Sequence, residues 1–283
     1  MSGLILCRGK HAQNPYHFEL TDTDVYTIEE LCFYIYNNIY AITEEIFDEK
    51  LVTWLKEEID MDEIAMKLSS MIKNHNNLKD IVVSILCSAD YYCEEEIVRV
   101  IDTIDAIYGL PDGLKRKIKA DNYLKYGYYP QALSEYESIL KSDDARQLSP
   151  GAYGSILHNM GIVHLHITGY KTAADCFKEA YSKNGEKQSL MQYLYTLKLG
   201  GMDEEFDYEL GHFNVSTQLL SEISNNYVFA LDEAKLSDGY EKINKIEHLK
   251  KSGKLSEYYR QLDSYTEKMK NDYREKRAVR YNV

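Results

Sequence analysis

The sequence predicts an all-α chain whose centre is a stack of helical hairpins, and three observations carry that prediction. Only 4 prolines occur in 283 residues, and long stretches place apolar side chains three and four positions apart, the period of a helix with one buried face. Two segments, Lys119–Leu140 and Gly154–Tyr181, repeat one grammar. With Ala132 set on Ala173, Tyr123 falls on His164, Tyr129 on Tyr170, Tyr136 on Phe177, Ile139 on Ala180 and Ala120 on Gly161. Each segment also has a glycine at its turn, Gly127 or Gly169, within one position of its counterpart. Small residues at both helix contacts let the backbones approach, aromatics fill the gap, and stacked neighbours share one core.

The composition agrees. Hydrophobic content of 44 % and aromatic content of 12 % are those of a globular protein. Tyr outnumbers Phe by 26 to 7, which suits half-buried sites where a ring packs and its hydroxyl stays wet. Length allows one to two domains, and we divide the chain into residues 1–110, 111–210 and 211–283.

The first region reads as a helical module with one β element. Leu4–Cys7 and Tyr16–Leu20, flanking Asn14-Pro15, predict a small hairpin within residues 3–20. Thr27 and Glu30 form a capping box for a helix running to about Ile42, with Leu31, Ile35, Ile39 and Ile42 on one face. Asp48–Glu58 follows with Leu51, Trp54 and Leu55 inward. Asp60 is the expected cap of the next helix, which turns Ile64, Leu68, Met71 and Ile72 inward. Leu78–Ala89 and Glu94–Tyr108 complete five amphipathic helices. Pro111-Asp112-Gly113 punctuates the chain before the repeats.

In the repeat region, Gly161, His164, Gly169, Tyr170, Ala173, Phe177 and Ala180 occupy the places that the tetratricopeptide repeat gives to small, aromatic and turn residues. The segment resembles that family, with His164 where a tyrosine is usual and Gly185 where a proline is usual. The spacing between the two units exceeds the family's roughly 34 residues, and the excess falls in Ser142–Gly151. A third, degraded unit begins near Gln188 and breaks at Gly200-Gly201. The opening of the chain, LILCRGK with EELCFYIYNNIY, is also similar to uncharacterised bacterial helical-repeat proteins, which implies no activity.

Residues 211–283 predict three more helices. Asn214–Leu236 has Leu220, Ile223, Tyr227 and Leu231 inward, Ser237–Lys251 follows, and a long helix runs from Leu255 to about Arg277. On this last helix Leu255, Tyr258, Leu262, Tyr265 and Met269 form a seam. We expect it to cap the solenoid, since terminal repeats need a polar outer face; a weak dimer through the same seam is the alternative to a monomer. The groove of the solenoid is expected to be either open or filled by these C-terminal helices.

Charge and motif exclude several function classes. The net charge of −13 argues against nucleic acid or an anionic membrane as the main partner. Leu4–Cys7 is too short for a signal-peptide core, and Ile81–Cys87 is far below membrane-spanning length, so a cytoplasmic protein is expected. Five scattered cysteines suit reduced, mostly buried thiols. His164 and His166, two apart, point in different directions on a helix and cannot share an ion. Asp60-x-Asp62 lacks the remainder of a calcium loop. No phosphate loop, dinucleotide fingerprint or nucleophile elbow is present. We expect no enzyme activity, no metal and no cofactor.

The resemblance implies a non-enzymatic scaffold or adaptor that holds a protein or peptide partner in a concave groove. The first helix of each pair lines such a groove, which nominates Lys117, Asp121 and Lys125, then His158, Ile162 and His166, then Gln192 and Thr196. Lys117 and Asn159 also match two positions at which chaperone-binding members grip a carboxylate, whereas Asp121, Ser189 and Tyr193 depart from that pattern. A peptide-sensing regulator and an accessory subunit of an enzyme complex are the alternatives. Ile64–Leu86 has helix-break-helix form, but Lys67, Lys73 and Lys79 among many acids are poor phosphate contacts.

Overall fold

The computed structural model describes residues 9–281, with side chains described to residue 271. Among these described residues the chain is all-α apart from one small antiparallel hairpin. Strands β1 (Tyr16–Phe18) and β2 (Thr23–Val25) pair Tyr16 with Val25 and Phe18 with Thr23. The hairpin therefore lies later than expected. Its partner strand has only one large apolar residue, which leaves no alternation to read. Its turn is closed by Asp22 in the left-handed region (φ 51°) rather than by Asn14-Pro15. Asn14 docks on a helix instead: its side chain donates to the Glu58 carboxylate at 2.8 Å, and its carbonyl accepts from the Trp54 indole at 2.9 Å. The other expected strand, Leu4–Cys7, lies outside the described residues.

Five helices build the first core. Thr27 caps α1 (Ile28–Asn37) by accepting from the Glu30 amide at 3.2 Å, while the Glu30 carboxylate accepts from the Tyr26 amide at 2.6 Å. The helix stops before Ile42. Asn38 turns its side chain back to the Tyr34 carbonyl, and a 3-10 turn, Ile39–Ala41, follows. Asp48 caps α2 (Glu49–Glu57). Asp60 does not cap α3 (Asp62–Lys73), whose first flanking residue is Met61. Asp60 adopts φ 60°, the Met61 amide reaches back to the Leu55 carbonyl at 2.9 Å, and Asp60 pairs with Lys10 at 2.9 Å. It ends α2 rather than opening α3, a use of left-handed backbone that Asp tolerates. With α4 (Leu78–Leu86) and α5 (Glu94–Tyr108), these elements bury Leu31, Ile35, Leu51, Leu55, Leu68, Ile85, Leu86 and Ile104 in one cluster.

The repeats follow as antiparallel pairs: α6 (Asp112–Lys125) with α7 (Tyr129–Lys141), α8 (Pro150–Ile167) with α9 (Tyr170–Asn184), and α10 (Lys187–Leu199) with α11 (Asp203–His212). Each second helix of the first two pairs also packs on the first helix of the next pair, so the hairpins stack. The turn after α6 needs Gly127, whose φ of 76° is left-handed. Between the first two pairs the chain makes a 3-10 turn, Asp143–Gln147. Ala120, Ala132, Tyr136, Ile139, Ile156, Met160, Val163 and Ala180 form a second cluster. Phe177, Leu190, Tyr193, Leu194, Leu197 and Phe206 lie in a third.

The first core is tied to the stack at its first hairpin. Asn122 donates to the Tyr40 carbonyl at 2.6 Å, Tyr126 to Asn38 at 2.9 Å, and Tyr128 to the Glu19 carbonyl at 2.6 Å.

The last three helices, α12 (Thr217–Lys235), α13 (Asp238–Lys251) and α14 (Leu255–Tyr281), are thinly packed. Ile223 and Ile246 are their buried apolar residues among those described. Leu231, expected inward, is 38 % exposed, one turn beyond the point where Asn226 of α12 still donates to the Tyr195 hydroxyl of α10 at 2.9 Å. The long α14 packs on α13. Of its seam, Tyr258, Leu262 and Tyr265 are half-buried, while Leu255 and Met269 are exposed. The thiols also differ from expectation: Cys32 is buried and Cys176 half-buried, but Cys87 and Cys93 are exposed and Cys7 lies outside the described residues. Cys87 and Cys93 sit at a helix end and a helix start, where the chain leaves the core. No helix among the described residues is long and apolar enough to cross a membrane.

Candidate functional site

The candidate site is the face formed by α6, α8 and α10, the first helices of the three hairpins. Asp121 on α6 is its polar centre. Its carboxylate accepts from the Tyr136 hydroxyl at 2.5 Å, from the Asn159 amide at 2.8 Å and from the Lys117 ammonium at 2.7 Å. One acid thus joins α6, α7 and α8. Tyr136 is fully buried, and burial together with the Asp121 charge pushes its phenol pKa far up, so the hydroxyl stays a donor.

A second polar link joins α8 to α10. The His158 ring meets the Ser189 hydroxyl at 3.0 Å, and Asn184 at the end of α9 donates to the same hydroxyl at 3.1 Å. His158 also packs edge-on against Phe177. Burial lowers its pKa below the ordinary imidazole value, with Glu186 opposing weakly, so the ring is held neutral. His164 and His166 lie in different surroundings. His164 is buried and meets the Thr168 hydroxyl at 2.9 Å, whereas His166 is exposed and stacks on Tyr129 with ring centroids 4.2 Å apart.

The eight nominated residues therefore fall into two groups. Lys117 pairs with Asp121 within α6, Asp121 and His158 spend their polar groups on neighbouring helices, and Thr196, only 1 % exposed, back-bonds to the Gln192 carbonyl. These side chains hold the stack together. Thr196 offers nothing to a partner, since its hydroxyl is buried and spent on its own helix. Lys125 and His166 are exposed, and Ile162 and Gln192 are half-buried. Lys125 lies over the Tyr126 ring at 4.9 Å. Leu199, on the same helix as Gln192, is 48 % exposed. The pair that could have gripped a terminal carboxylate, Lys117 and Asn159, converges instead on the chain's own Asp121.

Sequence reasoning missed one feature of this neighbourhood, the acid Glu209 on α11. It is 2 % exposed and takes the Lys178 ammonium from α9 as its partner. The Tyr193 phenol lies beside it and bonds Glu205 at 3.1 Å, and burial followed by the Glu209 charge pushes its pKa far up. A lone Glu at an inward helical position was the available signal. Among the described residues no group of three His, Cys, Asp or Glu is placed to hold a metal ion.

The chain was compared with family models, curated proteins and solved structures, and none of the three comparisons returned a match.

Proposed function

We propose that the chain is a non-enzymatic scaffold of the tetratricopeptide type, and that it holds a protein or peptide partner against the face of α6, α8 and α10. One observation carries this reading. Side-chain bonds run from Asp121 to Asn159 and from His158 to Ser189, so the first helices of three successive hairpins lie side by side as one layer. A continuous helical layer with its own polar links satisfied offers an extended surface, which is how stacked repeats engage a partner. The accessible positions on it are Lys125, Ile162, His166, Gln192 and Leu199. They mix one cation, amide and imidazole donors, and aliphatic anchors, which suits a peptide with alternating polar and apolar side chains.

The test is affinity capture from lysate of the source organism with tagged wild type beside Lys125→Glu with His166→Ala. These two residues are exposed, so the variant keeps its fold, which circular dichroism checks. The reading predicts a captured protein or peptide that the variant fails to retain. Equal capture by both proteins would overturn it for this face.

A further inference from the structure

A cleft of about 530 Å³ lies between α13 and α14, away from the face just described. Its lining is Lys242, Lys245, Ile246, Arg260, Gln261, Ser264, Tyr265 and Lys268. On α13, positions 239, 242 and 246 share one face. On α14, positions 261, 264, 265 and 268 do the same. The floor is apolar: Ile246 is buried, and the Tyr265 ring reaches across so that its hydroxyl lies near Gly239. The rim is cationic and contains no carboxylate. Among the described residues Lys245 and Arg260 form ion pairs only with one-turn partners on their own helices, Glu241 and Glu257, and their side chains are 68 % and 77 % exposed. Such surface pairs are weak and exchange readily. Among the described residues Lys242 and Lys268 have no carboxylate within 4.0 Å.

This cluster stands out against the rest of the chain. Residues 1–237 hold 21 Lys and Arg against 38 Asp and Glu; residues 238–283 hold 12 against 8. A basic cleft on an acidic protein selects its occupant by size as well as by sign. A duplex or a bilayer is a broad anionic surface, and the acidic body would repel it. The field of the body fades over a Debye length of about 8 Å at physiological salt, so a short anionic segment confined to the cleft feels chiefly the four cations around it. The volume is that of an ordinary ligand cleft, with room for a few side chains over an apolar floor.

We infer that the α13–α14 cleft is a second binding site, which takes an acidic peptide segment with an aromatic or aliphatic anchor. Carboxylates pair with Lys242, Lys245, Arg260 and Lys268, and the anchor lies on Ile246 and the ring of Tyr265. Gln261 and Ser264 supply hydrogen bonds to its backbone. Charge pairing of this kind falls with added salt and sets the on-rate more than the final affinity.

The test measures fluorescence anisotropy of the full chain with a labelled twelve-residue peptide of eight Glu, two Tyr and two Leu. Phosphatidylserine vesicles and a single-stranded oligodeoxythymidine serve as competitors, and sedimentation velocity follows the protein alone. The inference expects saturable peptide binding that weakens at least tenfold between 50 and 300 mM salt. It also expects a loss of at least tenfold in Lys242→Gln with Lys268→Gln, and vesicles and DNA that fail to displace the peptide. The wild-type salt series is informative even if that variant misfolds. Salt-insensitive binding, or full affinity in a variant with unchanged circular dichroism, would overturn it. So would tighter binding of vesicles or DNA, or salt-sensitive self-association that fills the cleft with a second copy. Loss of the α6–α8–α10 surface leaves these readings untouched, so the two proposals fail separately.

Discussion

At the scale of single residues, close packing decides which positions tolerate change. Gly161 on α8 faces Phe177 on α9, and a Cβ placed on it would sit 2.7 Å from the ring. That ring is fully buried, so it has nowhere to move. Gly161→Ala is therefore expected to destabilise the chain by about 1–3 kcal/mol through overpacking. A Cβ on Gly151 meets only the Ser149 hydroxyl, at 3.9 Å, and Gly151→Ala on the same helix is expected to be neutral or to stabilise by about 0.4–1 kcal/mol by restricting the unfolded chain. Urea titration of both variants checks the contrast, and equal midpoints would remove close helix approach as the reason for the glycine. Gly161 was legible because small, turn and aromatic residues recur in phase. The roles of Asp121 and Thr196 were not, because position on a helix face does not say whether a polar group reaches solvent or the next helix. That choice depends on neighbours distant in sequence, here Tyr136 and Asn159 for Asp121.

At the scale of elements, the helices divide by how much apolar surface they bury. Pairs α6–α7 and α8–α9 interlock through Ala120, Ala132, Tyr136, Phe177 and Ala180, all fully buried. Helices α12, α13 and α14 contribute Ile223 and Ile246 and leave Val228, Phe229, Leu236, Ile243 and Tyr259 more than half exposed. Burying a Val, Leu, Ile or Phe side chain contributes about 1.5–3 kcal/mol, so the C-terminal helices have little to set against the entropy of ordering them. Local opening should begin there. Brief trypsin treatment is expected to cut first at Lys235, Lys250, Lys251 or Lys254, which flank the turns at Ser237 and Gly253, and to leave residues 112–212 intact. First cuts within α8 or α9 would show that the stack is not the more stable part. The sequence periodicity revealed that these helices exist. It overestimated their packing, since Leu231 has the spacing of an inward residue yet is 38 % exposed.

At the scale of the whole molecule, the question is whether the N-terminal core and the stack unfold together. Trp54 is the only tryptophan of the chain and is 6 % exposed in the first core, with its indole bonded to the Asn14 carbonyl. Its fluorescence therefore reports that core alone, whereas far-UV circular dichroism reports every helix. The bonds from Asn122, Tyr126 and Tyr128 to Tyr40, Asn38 and Glu19 cross between the two. At about 1 kcal/mol each, three of them couple the halves by about 3 kcal/mol. Removing all three in Asn122→Ala with Tyr126→Phe and Tyr128→Phe leaves both cores intact, because none of these side chains belongs to the fully buried set. With a urea slope of about 1–3 kcal/mol per molar, the Trp54 transition should move down by about 1 M or more in the variant. It should separate from the dichroism of the repeats, because each half loses the free energy that the other lent it. A Trp54 curve that stays in place would mean that the first core is stable without the stack, with the three bonds setting only its orientation.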